Sequence, residues 1–242
     1  MTDQSNSHPL RRPRFVIAAA IVALLIVIAV IVTVTNVVGG AKPAATAQPT
    51  AAKTSAPPSG VDADSSPSTC GLSGYSKTST LTSLPKTTWQ LVGTMATPNS
   101  KSFGPGIVTD NGFRSCYQHT AEGALFFASN FLALGTDQTM QKQLLGLVAP
   151  GRGHDAIAAK LATGSTASTR AQIAGFKVDS YDGKNTTVEV VLNYSSGTLA
   201  AVPIKLTWLS GDWKLILADD GTMPIAPSAL DNLGGYTPWS GA

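Results

Sequence analysis

From Thr120 onward the apolar positions fall at helical spacing: Ala121, Ala124, Leu125, Ala128, Phe131 and Leu132 follow an i, i+3, i+4, i+7 pattern. Thr120 is placed to cap this helix, and Glu122 stands in the first turn, where the helix dipole favours a negative charge. A second helix is predicted from Thr136 through "DQTMQKQLLGLV", and a short third over "HDAIAAKLA", with glycine-containing turns between them. After Thr163 the period drops from helical to two. Val188, Val190, Leu192 and Tyr194 share one face of a strand; Val202, Ile204, Leu206 and Trp208 share one face of the next. Trp213, Leu215 and Leu217 alternate again, so with "AQIAGFKVDSY" ahead of them four consecutive strands are predicted, joined at "DGKN", "SSGT" and "SGD".

Helices followed by an antiparallel meander make the α+β class, with about three helices packed on one face of a curved sheet. Upstream, Cys70 to Phe113 is poor in apolar residues. It offers one strand, around "TTWQLVG" (Thr87 to Gly93), and otherwise reads as an extended wrap. The segment 39–69 is mostly Ala, Pro, Ser and Thr, a composition that cannot offset its ordering entropy, so a disordered linker of roughly 30 Å reach is expected there.

Composition changes this picture at the N-terminus. Only 13% of the chain is charged and 43% is hydrophobic, and much of that excess lies in the uncharged run Phe15 to Val38. As a helix this run would rise about 36 Å, enough for a bilayer core of about 30 Å. Arg11, Arg12 and Arg14 precede it and Lys42 alone follows closely, so the positive-inside rule predicts a single-pass protein. The expected division is a cytoplasmic tail 1–14, a transmembrane helix 15–38, the linker 39–69 and an extracytoplasmic domain 70–242. The run is too long for a cleaved signal peptide, and Phe15 stands one place late for a twin-arginine signal. The two cysteines, Cys70 and Cys116, are then expected to pair as a disulfide. A net charge of +3, partly contributed by the N-terminal arginines, implies no nucleic-acid face.

Candidate chemistry concentrates in "SCYQHTAEGALFF", Ser115 to Phe127. Two readings compete there. Cys116 and His119, three apart, would suit a cysteine nucleophile with its base. Alternatively Cys116 is oxidised, His119 precedes the cap, Thr120 caps, and Gly123 with Ala124 lets the helix sit close on the sheet. The second reading is preferred, and with no nucleophile elbow, phosphate loop or H-E-x-x-H motif the chain is expected not to be an enzyme and to carry no cofactor. His119 and His154 lack further ligands at metal-binding spacing, so no metal is expected. Trp208 and Trp213 read as core, and Asp179 and Asp182 as turn residues. Asn185 and Asn193 begin weak glycosylation sequons. In the tail "GGYTPWSGA", Tyr236 and Trp239 either pack back on the domain or offer an aromatic anchor to a partner.

The element order and the hairpin "LTWLSGDWKL" resemble the nuclear transport factor 2-like superfamily, which implies a cone-like sheet. The basic tail, span and Pro/Ala-rich linker, followed by "FGPGIV…CYQHTAEGALFFASNF", resemble membrane-anchored proteins of actinobacterial conjugative elements. There His119, Thr120, Gly123 and Ala124 match a recurring "HT..GA" helix start, and Ser102 to Pro105 the preceding Gly-Pro turn. The resemblance spans roughly Trp89 to Trp239. It implies a membrane-tethered scaffold or interaction domain similar to VirB-type IV secretion assembly factors, with the membrane, other secretion-channel subunits and a homo-oligomer as partners. The alternative it leaves is a ligand-binding or enzymatic cone at the cell envelope.

Overall fold

The structure is a computed structural model that describes residues 67–78, 81, 83–162 and 170–241. All of them lie in one of the chain's two compact units, Ser59–Ala242. The elements run β1 (Thr88–Val92), β2 (Met95–Asn99), β3 (Ile107–Val108), β4 (Arg114–Ser115), α1 (Ala121–Leu134), α2 (Gln141–Leu144) and α3 (Arg152–Ala162). Six strands follow: β5 (Ala171–Tyr181), β6 (Asn185–Tyr194), β7 (Leu199–Leu209), β8 (Asp212–Leu215), β9 (Ser228–Leu230) and β10 (Thr237–Pro238).

The helix start is built as its residues dictate. Thr120 is extended, and its hydroxyl accepts the Gly123 N–H at 3.2 Å, satisfying one of the four orphan donors of the first turn. The periodicity of α1 understates its burial. Ala124, Leu125, Phe126, Phe127 and Ala128 are all fully buried, because the sheet packs on one side of the helix and the β1–β2 hairpin on the other. A helix buried nearly all round is central rather than amphipathic. The second predicted helix is broken: α2 is one turn between two 3₁₀ segments, Gln138–Met140 and Leu145–Leu147. The expected wrap after Gly93 instead begins with β2, paired residue for residue with β1 from Thr88↔Asn99 to Val92↔Met95.

The main sheet is antiparallel, in the order β10-β5-β6-β7-β8, with β9 beside the start of β7. Val188, Val190, Val202, Ile204, Leu206 and Trp208 face the helices and form the core with α1. On the opposite face Val191 and Ala201 are also buried, and the C-terminal segment crosses this side, where the Tyr236 hydroxyl donates to Glu189 at 2.5 Å. Trp239 then turns into the core, 6% exposed, against Trp89, Phe126 and Phe176.

Two expectations are corrected. The sheet is not a cone: it stays open and uncurled, because β8 and β10 end it as separate edges and β9 adds to its flank instead of closing it. No helix among the described residues is long and apolar enough to cross a membrane. The transmembrane helix assigned to Phe15–Val38, with the tail 1–14 and residues 39–66 of the linker, lies outside the described residues. The single-pass topology with an extracytoplasmic C-terminal domain therefore has no support in the structure and is set aside.

Four tyrosines give the fold a pH limit. Burial raises the phenols of Tyr117, Tyr181 and Tyr194, and Tyr236 is pushed up to about 12 by burial and by its bond to Glu189. The unfolded chain ionises near 10, so their contribution is complete below that value and is lost as pH climbs from 10 toward the folded values. The urea midpoint is expected to fall steeply between pH 9 and 11.5, together with the rise of tyrosinate absorbance; a midpoint flat across this range would refute the assignment.

Candidate functional site

The stretch from Cys116 to Gly123 is a structural knot rather than an open centre. Cys116 is bonded to Cys70. His119 is 1% exposed; its ring stacks on Trp208 at 3.8 Å and meets Trp213 edge-on, and Nε2–H donates to the Gly183 carbonyl. Trp213 Nε1–H donates to the Gln118 carbonyl at 3.0 Å. Gly123 is required because a Cβ there would stand far inside van der Waals contact with that same carbonyl oxygen. Ala124, fully buried, completes the close approach. Of the two readings of this segment, geometry builds the helix start: the thiol is consumed and the imidazole is enclosed by rings.

Sequence reasoning missed the residue that organises the knot. Asp212, in the "SGD" turn, is 5% exposed and accepts three backbone N–H bonds, from Cys116 at 2.8 Å, Tyr117 at 3.0 Å and Trp213 at 2.9 Å. Burial raises its carboxyl above the ordinary value, and the three donors pull in the opposite direction. The signal was an aspartate at a hairpin turn between two tryptophans, which reads equally well as a solvated turn residue. Asp182 is such a residue: its carboxylate accepts from Lys184 N and Asn185 N, and the Asn185 bond leads in holding its pKa low.

The remaining singled-out residues separate. Tyr236 lies on the sheet face opposite the helices and Trp239 in the core, so the tail packs back on the domain. His154 sits on α3 beside Asp155, and among the described residues no three His, Cys, Asp or Glu side chains come together as a metal site.

The open features lie elsewhere. A groove of about 510 Å³ runs between Leu91 and Thr94 of the β1–β2 hairpin and Ala171, Gln172, Asn193 and Tyr194 of the main sheet. A second, of about 580 Å³, is lined by Phe113, Ser115, Lys142, Ser210, Asp212 and Lys214. The end strands β8 and β10 of the main sheet differ from β1. β8 is closed by Asp212, which takes the Trp213 N–H, and by Ala149, whose N–H donates to the Leu215 carbonyl. β10 is two residues long and carries Pro238. β1, "TWQLV", has neither charge nor proline, pairs only with β2, and presents Leu91 at 76% exposure. Its two-residue turn makes Val92↔Met95, Gln90↔Thr97 and Thr88↔Asn99 the hydrogen-bonded pairs, so Trp89 and Leu91 direct their backbone groups outward.

What fold and surface define together is an α+β domain of three helices packed on an open antiparallel sheet, pinned by one disulfide. The chain belongs to the family described as a domain of unknown function, DUF8175, which matches residues 46–238. No curated protein and no solved structure matches it.

These findings correct the resemblance. Nothing links the chain to the nuclear transport factor 2-like superfamily, to conjugative elements or to VirB-type assembly factors, and the scaffold role in a secretion apparatus falls with them. The physical reason is visible in the motif itself. Thr120 is there to cap, Gly123 to clear a carbonyl and His119 to fill a gap between rings. Local packing of this kind specifies a helix start and carries no information about partners.

Proposed function

We propose that this domain is a protein-interaction module without a catalytic centre, and that it takes its partner along the outer edge of β1. The observation that carries this reading is the unprotected edge. Native sheets blunt such strands with charge, proline or a covering segment, and both end strands of the main sheet use those devices. β1 uses none and adds a large apolar side chain in the open. An extended segment laid beside it would gain main-chain bonds from Trp89 and Leu91 and a place for an alternate side chain in the adjoining groove. The residues able to do chemistry support the same reading: Cys116, His119 and Asp212 are spent on the knot.

Leu91→Lys tests it, because a lysine on an edge strand opposes pairing while leaving an exposed position exposed. Affinity purification of the tagged full chain from its own cells is expected to recover a partner with the wild type. The variant should lose at least tenfold of that recovery at unchanged melting temperature. An identical set of captured proteins from both would overturn the proposal, and recovery of the chain alone in a larger assembly would identify the partner as a second copy.

A further inference from the structure

Arg114, on β4, is 5% exposed, yet among the described residues no carboxylate pairs with it. Its neighbours are neutral. Nη1–H donates to Asn130 Oδ1 at 3.4 Å and Nη2–H to Gln90 Oε1 at 2.6 Å, while Nε–H finds no acceptor among the described residues. Burial of a guanidinium without a counter-charge is costly, and proteins pair buried charges almost without exception. The surroundings look built to hold this cation in place. Asn130 donates both amide protons, to the Pro98 and Phe126 carbonyls, which fixes its oxygen toward Arg114. Gln90, by contrast, is an exposed residue of β1, so the acceptor of Nη2 is a side chain at the protein surface.

We propose that Arg114 is a receptor for a carboxylate, supplied by an aspartate or glutamate side chain of a strand docked on β1. This rests on the edge-strand reading above and names its chemistry. The incoming carboxylate displaces the Gln90 oxygen and takes the Nη2 and Nε protons together, the two-pronged geometry for which a guanidinium is suited and which a single amide oxygen cannot supply. Affinity then comes from the backbone of β1, and selection for an acidic residue from Arg114. Gln90 serves as a neutral stand-in that keeps the cation solvated while the edge is empty.

The test uses the full chain and watches the Arg114 Nε–H resonance by NMR. Acetate is the free-anion probe; a terminally blocked pentapeptide with a central glutamate, and its glutamine counterpart, are the strand-borne probes. Acetate should shift the resonance saturably. Gln90→Ala should tighten acetate about fivefold, the worth of removing one competing hydrogen bond. In Arg114→Met, which keeps the apolar stem, the Gln90 and Leu91 backbone amides serve as the probe: acetate should leave them unmoved, and the glutamate and glutamine peptides should bind alike. The glutamate peptide should bind at least tenfold more tightly than acetate, and the glutamine peptide should not. A resonance unmoved by acetate and peptide alike, or Gln90→Ala without effect on acetate, overturns the receptor. Acetate and the glutamate peptide binding equally overturns the strand as its source. Since acetate reports on Arg114 without any partner, failure here and failure of the Leu91→Lys experiment are separate results.

Discussion

Asp212→Ala is expected to cost the domain about 3–5 kcal/mol, a large part of the 5–15 kcal/mol that holds a typical domain folded. The substitution removes one side chain and strands three buried donors, the backbone N–H groups of Cys116, Tyr117 and Trp213. Each costs about 1–3 kcal/mol when left without an acceptor, and partial relaxation keeps the total below the sum. Asp212→Asn separates charge from geometry. Its single oxygen can keep the Oδ1 role, serving Tyr117 and Trp213, but its NH₂ then faces the Cys116 N–H, donor against donor. The asparagine variant should therefore lose about 1–3 kcal/mol, between wild type and alanine. Urea denaturation of the three proteins at neutral pH measures the order directly. An alanine variant within 1 kcal/mol of wild type would mean that water or a backbone shift replaces the carboxylate.

Removal of the Cys70–Cys116 bond has an expected cost of about 4 kcal/mol, the chain-entropy value for two cysteines 46 residues apart. The paired serine variant and the reduced wild type should agree in denaturation midpoint, and a loss below 1 kcal/mol would show that the unfolded chain was already constrained. The two large effects should not add. Asp212 holds the N–H of the same Cys116 whose sulfur is tied to Cys70, so each device fixes a segment that the other also fixes. With one gone, the segment is already loosened, and the second loss is expected to be smaller in the combined variant than alone.

How much of this was legible depends on the range of the force involved. The strands 171–181, 185–194, 199–209 and 212–215 follow from period-two alternation, a property of each segment by itself. The Thr120 cap is equally local. β2 was hidden because "MATPN" contains a proline and small residues; it becomes a strand through β1 and through Gln172, whose side-chain amide bonds Thr94 O and Ala96 N across a long separation in sequence. The tail was ambiguous for the same reason: nothing near Trp239 in sequence indicates that Trp89, Phe126 and Phe176 form its socket. Asp212 and Arg114 are the clearest cases. An aspartate in a turn and an arginine on a short strand look solvated, and only the assembled fold shows that one saturates three donors while the other lacks its counter-ion.

The socket of Trp239 also bears on how the protein is made. Trp89 and Phe126 emerge from the ribosome well before the tryptophan that fills the space between them, so the newly synthesised chain presents an incomplete aromatic core while its later strands are still being translated. The aromatic core therefore closes only once Trp239 is in place, and until then the faces of Trp89 and Phe126 are the surface at which a partly made chain is open to misassociation.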